Sequence, residues 1–341
     1  MSDKDKSLMA ADKVAKKKYP HAIALANEMT YENHPVYSTG NLQLDRALGG
    51  GFAEGRIYEV FGPESGGKTT LCLQAIAEVQ RQGGHCLFVD AERAMNQAHA
   101  KSLGVDMSKL RMATPADAEQ ALSIIELYLR TGAISMIVLD SLAAMTPRNE
   151  AEKGIEKNTV GEVPRLMSKF FRTNVGPLES SKTTLVIINQ VRMKIGVMFG
   201  NPETTPGGNA MKFFSSGRLN VRRKGWIKDG DRVVGQTIGV QTIKNKMAPP
   251  MQTALLDFYF DKGLDKIQDV RDMALSLPGT GIIMKGSWLS VDGEQIGQGK
   301  TMLDELLSDP KIYANVYDRC LKVMKHGDNP PDLAFEPLKL E

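Results

Sequence analysis

Gly62-Pro63-Glu64-Ser65-Gly66-Gly67-Lys68-Thr69 fits the pattern G-x-x-x-x-G-K-[ST]. The apolar run Ile57-Tyr58-Glu59-Val60-Phe61 precedes it, and a helix-compatible stretch from Lys68 to Gln82 follows. Strand, glycine turn and helix in that order make a phosphate cradle. Without Cβ atoms in the way, backbone N–H groups converge on phosphate oxygens, and the helix start adds the positive end of its dipole. In such a cradle Lys68 reaches the β- and γ-phosphates and the Thr69 hydroxyl holds Mg²⁺. Gly62 through Thr69, with Thr70 beside them, are the candidate ATP-binding residues. The competing reading, an ordinary glycine turn before a helix, does not account for the strand in front.

Apolar runs recur beyond this stretch at Ile57–Phe61, Cys86–Val89, Ile134–Leu139 and Thr184–Ile188. Helix-period segments lie between them at Thr69–Gln82, Met95–Leu103, Ala116–Arg130 and Val163–Glu179. Strands alternating with helices predict an α/β fold, a mostly parallel sheet with helices on both faces. Pro115 with Asp117 marks a helix start and Gly132 a stop. From 190 to 209 the chain is rich in Gly, Pro, Asn and Thr, a long irregular loop of the kind that is functional or disordered. Arg218–Arg223, Gly235–Ile243 and Thr253–Phe260 then alternate like antiparallel strands. The expected division is a helical arm at 1–35, a core at 36–263, a small C-terminal α/β domain at 264–326 and a proline-bearing tail at 327–341.

Composition narrows the function classes. With 341 residues, 42% hydrophobic and 24% charged, the chain is long enough for a large core and ordinary for a globular protein. No apolar run approaches the ~18 residues of a membrane span, and the lysine-rich start has no signal-peptide core. Cys72, Cys86 and Cys320 lack metal spacing and fit reduced thiols. A net charge of +3 means that a nucleic-acid site has to be a local patch.

Three further segments carry candidate chemistry. Ile137-Val138-Leu139-Asp140-Ser141 ends a strand in a carboxylate, where phosphate-cradle proteins hold Mg²⁺. In Val89-Asp90-Ala91-Glu92, Glu92 is positioned as general base toward a water. A helix-capping pair reads the same residues, with Asp90 accepting orphan amides. Asn189-Gln190 stands at a strand end, either capping a loop or touching a γ-phosphate.

Together, Gly62–Leu71, Val89–Glu92, Val138–Pro147 and the stretch INQVRMKIGVMFGNPETTPGGNAMK from Ile188 to Lys212 resemble the bacterial RecA family of homologous-recombination proteins. Ser38-Thr39-Gly40, Leu44-Asp45, Leu48-Gly49, Lys244-Asn245-Lys246 and WLSVDGEQIGQGK from Trp288 to Lys300 extend the likeness across residues 36–325. The resemblance implies an ATP- and single-stranded-DNA-dependent recombinase that forms a helical filament and exchanges strands with homologous duplex DNA in recombinational repair. It further implies a bacterial cytoplasmic, nucleoid-associated setting and a part in the damage response; the N-terminus and short tail suit a phage-encoded member. By position, Lys68 and Thr69 are similar to the family's nucleotide and Mg²⁺ residues, Asp140 to its metal carboxylate, Glu92 to its catalytic base and Gln190 to its γ-phosphate sensor. Lys244 and Lys246 match a pair that reaches the ATP of a neighbouring subunit; the alternative is one solvated face of a strand at period two.

Two segments resemble the family's DNA loops, near 150–161 and 191–209. The implied DNA-binding residues are Val160, Arg165, Ser168 and Arg172, then Arg192, Met193, Lys194, Ile195, Gly196, Val197, Met198 and Phe199, and finally Gly207, Gly208 and Asn209. Without the resemblance, two cations in a loop are an ordinary solvated loop. Cations and backbone amides neutralise phosphates without reading sequence. The chain departs from the family at Gly66, where Ser is usual, at His99, in place of an adenine-stacking Tyr, and at Asn96, in place of Asp. Its tail is not strongly acidic. A ring-forming helicase on the same core and an ATP-gated single-strand binder remain the alternatives; a pure binder needs no base at Glu92.

Overall fold

The computed structural model describes residues 2–19, 34–153, 161–193, 202–326, 335 and 338. Val160 and the loop residues Lys194, Ile195, Gly196, Val197, Met198 and Phe199 lie outside them, as does most of the tail. Contacts divide the chain into two compact units, Met1–Pro35 and Val36–Glu341. The first holds helix α1 (Asp3–Lys18). Ser2 and Asp5 cap it reciprocally, acids fill its first turn and Lys16–Lys18 its last, so its charges oppose its dipole. None of its residues is buried.

The second unit runs β1 (Val36–Tyr37), α2 (Leu42–Leu48), β2 (Phe52–Ala53), β3 (Ile57–Gly62), α3 (Lys68–Arg81), β4 (Cys86–Asp90), α4 (Gln97–Ser102), β5 (Leu110–Ala113), α5 (Ala118–Thr131) and β6 (Met136–Asp140). After a 3₁₀ turn (Leu142–Ala144) come α6 (Arg148–Lys153), α7 (Glu162–Ser181), β7 (Thr184–Gln190), β8 (Arg192–Met193), β9 (Glu203–Thr204), α8 (Gly208–Phe214), β10 (Gly217–Asp229) and β11 (Arg232–Asn245). The last part is β12 (Thr253–Tyr259), β13 (Gly263–Leu264), α9 (Lys266–Ser276), β14 (Ile282–Lys285), β15 (Trp288–Val291), β16 (Glu294–Gln298), α10 (Lys300–Leu307) and α11 (Pro310–His326).

Nine strands form one sheet in the order β13-β12-β11-β10-β3-β7-β6-β4-β5. From β10 to β5 neighbours are parallel; from β10 to β13 they are antiparallel. Side chains alternate between two cores. Met136, Val138, Val186 and Ile188 join the cluster around α3, while Ile137, Leu139, Leu185 and Ile187 face α5 and α7. Strands buried on both faces read as near-continuous apolar runs, which is why β3, β4, β6 and β7 were legible. Helix α5 starts and stops as its sequence predicts: the Asp117 carboxylate accepts from the Gln120 amide at 2.7 Å, and Gly132 closes the helix in the left-handed region.

Two expectations change. The hairpin β10–β11 is longer than the alternating apolar residues indicate, because its outer half, Arg222 to Arg232, is mostly charged and its two apolar residues, Trp226 and Ile227, are adjacent and carry no period-2 signal. Its two-residue turn, Gly230-Asp231, opens at a φ of +58°. The stretch 190–209 is not wholly irregular: β8 pairs with β9, and Gly207 caps α8, placing Gly208 and Asn209 in its first turn.

Helices α9–α11 and the sheet β14-β15-β16 share a third apolar cluster, which includes Leu42 of α2. A buried polar tie links the two. Asp269 of α9 accepts from the Asn41 side-chain amide and the Leu42 backbone amide, each at 2.7 Å. Nearby, Asp45 accepts from the Thr39 amide and hydroxyl, both at 2.7 Å, and from the Ser38 hydroxyl at 2.5 Å. Burial outweighs these donors and pushes both carboxyls up to about 7. The folded chain therefore binds these protons more tightly than the unfolded chain, and the stability they contribute is lost as pH rises through about 7. We expect the stability of the parent protein relative to Asp45→Asn to fall as pH is raised from the ordinary carboxyl value of 3.8 to about 7. Denaturant unfolding across that window measures it; a pH-independent difference contradicts it.

Candidate functional site

The carboxyl ends of β3, β7, β6 and β4 meet along one edge because the parallel register aligns them. Gly62 pairs with Gln190 and Asp90 with Asp140. From Gly62 the chain turns into α3. A Cβ on Gly62 would stand 2.0 Å from the Val221 carbonyl oxygen in β10, and one on Gly67, whose φ is +90°, would stand 2.0 Å from Ile238 Cδ1 in β11. The turn thus lies directly on β10 and β11, and only glycine fits at both places. Gly67 caps α3 without a side-chain acceptor, so the first-turn amides remain for an anion.

Lys68 is 8% exposed, and its ammonium donates to the Pro63 carbonyl at 2.6 Å. Burial lowers its pKa, and Asp140 and Glu92 oppose that shift. The Thr69 hydroxyl donates to Asp140 Oδ2 at 2.6 Å. Burial raises the Asp140 carboxyl to about 6, with the Thr69 bond opposing. Glu92 Oε1 accepts from the Ser141 hydroxyl at 2.5 Å and from Gln190 Nε2 at 3.1 Å. Ser141, which sequence reasoning passed over, therefore orients the same carboxylate as Gln190; its position directly after Asp140 was the available signal. Asp90 caps no helix: it accepts from the loop amides of Ala94 at 3.3 Å and Met95 at 3.1 Å, which precede α4. Asn96 caps α4 through the His99 amide at 3.1 Å, and the His99 ring lies 3.0 Å from the Thr70 hydroxyl. Burial lowers the His99 pKa, which keeps the imidazole neutral near pH 7.

One edge thus gathers unshared helix amides, an ammonium, a hydroxyl–carboxylate pair of hard oxygen donors and a second carboxylate held by an amide and a hydroxyl. That set can hold a polyphosphate, hold a hard cation and orient a water.

A family model described as the RecA N-terminal domain matches residues 6–265. The chain belongs to the RecA family. It is 44% identical over 331 residues to a Protein RecA of Teredinibacter turnerae, covering 96% of each chain. To that of Desulforapulum autotrophicum it is 42% identical over 323 residues, 94% of this chain and 92% of the relative. To that of Acinetobacter baumannii it is 41% identical over 348 residues, 98% and 99%. Among solved structures, the RadB recombinase shares the fold, with a TM-score of 0.51 at 21% identity, over 67% of this chain and 98% of that one. The chain is a RecA-type recombinase and, as an enzyme, a DNA-dependent ATPase.

Not every expected RecA-type site residue is gathered here. Lys244 and Lys246 lie toward the amino end of β3, away from the glycine turn: Lys244 pairs with Arg218, which pairs with Glu59. The Lys244 ammonium donates to the carbonyls of Lys212 at 2.6 Å and Phe213 at 3.2 Å. Burial, then Lys246 and Arg218, lowers its pKa. Arg165 and Arg172 are exposed on α7, with half-buried Ser168 between them. Ser168 donates to the Pro164 carbonyl at 2.8 Å, and Arg172 to the Ser168 carbonyl at 3.2 Å. Arg192 and Met193 are exposed in β8.

The steric fit of the turn yields a matched pair of expectations. Gly67→Ala collides with Ile238 and lowers nucleotide affinity by at least about tenfold, with roughly 1–3 kcal/mol of stability lost. Gly83→Ala, at a φ of +82° with open space around it, costs about 1 kcal/mol for backbone strain alone and leaves nucleotide affinity intact. Calorimetric titration with ATP and thermal melts of both variants measure the contrast.

Proposed function

We propose that the residues at this edge bind Mg²⁺ and ATP and couple hydrolysis to the grip on single-stranded DNA. The turn amides and Lys68 take the phosphates, while Thr69 and Asp140 supply oxygen donors suited to Mg²⁺. Bound there, Mg²⁺ neutralises charge on the phosphate oxygens. Glu92 accepts the proton of the attacking water, and Ser141 and Gln190 hold its carboxylate in place. Asn96, His99 and Thr70 flank the adenosine side. Lys244 and Lys246, turned away from their own turn, serve a neighbouring protomer, so hydrolysis depends on head-to-tail assembly into an open helical filament. Exposed Leu8, Met9 and Val14 on α1 suit it as the docking arm.

DNA contact is assigned to Arg165, Ser168 and Arg172, to Arg192, Met193 and the loop Lys194–Phe199 with Val160, and to Gly207, Gly208 and Asn209. The partners are single-stranded DNA and homologous duplex, read through backbone and stacking rather than base code. The place of action is the bacterial cytoplasm at the nucleoid, for a host or a phage-encoded protein.

A single run of contacts supports the coupling. Gln190 Nε2 donates to Glu92, while Nδ2 of the preceding residue, Asn189, donates to Glu59 and to the Pro206 carbonyl, each at 2.9 Å. Adjacent side chains thus touch the base and the far end of the DNA segment. A shift of Gln190 toward a γ-phosphate is transmitted over one residue. Measured ATPase activity should rise sharply on adding single-stranded DNA, and electron microscopy of the same sample should show filaments. Glu92→Gln should cut turnover by about 10²-fold or more while keeping ATP affinity. Gln190→Ala should bind DNA equally with and without ATP; retained ATP dependence refutes the coupling.

A further inference from the structure

One wall of the nucleotide cavity comes from the outer hairpin. A space of about 290 Å³ is bounded by Ser65–Thr70 on one side and by Arg223, Trp226, Gln236 and Phe260 on the other. The strand pattern explains how the hairpin reaches it. In β10, Arg223 pairs with Ile238, Gly225 with Thr237 and Trp226 with Gln236, which leaves Lys224 as an extra residue in a bulge. Residues three apart in a regular strand face opposite sides. The bulge cancels that difference and re-aims a side chain, so Arg223 and Trp226 share the face of Ile238 and Gln236. That face carries the turn: a Cβ on Gly67 would stand 2.0 Å from Ile238 Cδ1 and 3.5 Å from Gln236 Nε2. Lys224 is free to leave because its stem lies where Gly239 has no side chain.

The Arg223 guanidinium sits 4.1 Å from the centre of the Trp226 ring. Among the described residues it has no carboxylate partner. Its charge is permanent, its planar fork matches phosphate oxygens, and the indole face holds it without neutralising it. Trp226 is 49% exposed, a large apolar surface whose visible role is this stack.

We infer that Arg223, aimed by the Lys224 bulge and held by Trp226, is a same-chain phosphate-binding cation of the nucleotide site. Trp226 is its positioning residue. This rests on the nucleotide reading above.

The test uses the full chain without DNA, so that any effect of the hairpin on DNA is set aside. Trp288→Phe leaves Trp226 as the sole reporter, since the chain has two tryptophans. In that background, ATP and inorganic tripolyphosphate should each change Trp226 fluorescence saturably, and adenosine should not. Calorimetry should show ATP binding weakened about tenfold or more in Arg223→Gln. Arg223→Lys should recover little of it. Trp226→Leu should lose part of the affinity and Trp226→Phe regain it. An Arg223→Gln protein that binds ATP as tightly as its parent overturns the inference, and so does a Trp226 signal that ignores both polyphosphates while calorimetry records ATP binding; either result leaves the nucleotide reading standing. If the parent itself binds no ATP, that reading falls and takes this one with it.

Discussion

Strand register is the constraint on which the rest of the molecule depends. β3, β7, β6 and β4 are parallel and buried on both faces, and their alternation feeds two separate cores. A slip of one residue would send each side chain to the wrong core. It would also pull Asp140 from Thr69 and Gln190 from Glu92, since Asp140 and Gln190 end their strands, Glu92 follows β4 by two residues and Thr69 opens the helix that β3 leads into. The site therefore has little geometric freedom of its own. It inherits its distances from the apolar packing behind it, which is how a sheet edge at a switch in strand order becomes a binding crevice.

Within that crevice the acidic groups are differentiated by surroundings rather than type. Asp90 is spent on loop amides. Asp140 is buried beside a hydroxyl, and burial raises its carboxyl. Glu92 is exposed yet held from two sides. A further carboxylate, Glu59, lies fully buried beneath the crevice, accepting from Arg218 at 2.5 Å and from Asn189 at 2.9 Å. It ties β10 and β7 to β3 just behind the turn, so the polar edge stands on a polar support as well as an apolar one.

Much of this was legible in the sequence because it is local. The glycine turn declares itself by spacing, the α5 caps by residue type, and the buried strands by near-continuous β-branched and apolar runs. What was not legible is set by contacts between distant segments. Nothing in β10 states that it lies beside β3, because backbone pairing leaves no mark on side-chain identity. The Ser141–Glu92 bond joins separate strands. The outer hairpin has no apolar alternation to betray it, and the partnership of Arg223 and Trp226 exists only once Lys224 bulges. Gly207-Gly208-Asn209 reads as a loop by composition, yet Gly207 caps a helix because Met211, buried among the α7 residues, rewards the turn that brings it there.

The resting of Gly62 and Gly67 on Val221 and Ile238 has a consequence for biogenesis. A nascent polypeptide that has emerged only through α3 already contains the whole phosphate motif but lacks the floor beneath it, which is synthesised half a chain later. Nucleotide cannot then act as an early scaffold, because contacts so distant along the chain form late. Ligand capture becomes a certificate that the antiparallel strands have docked, and partly made chains are kept from sequestering it.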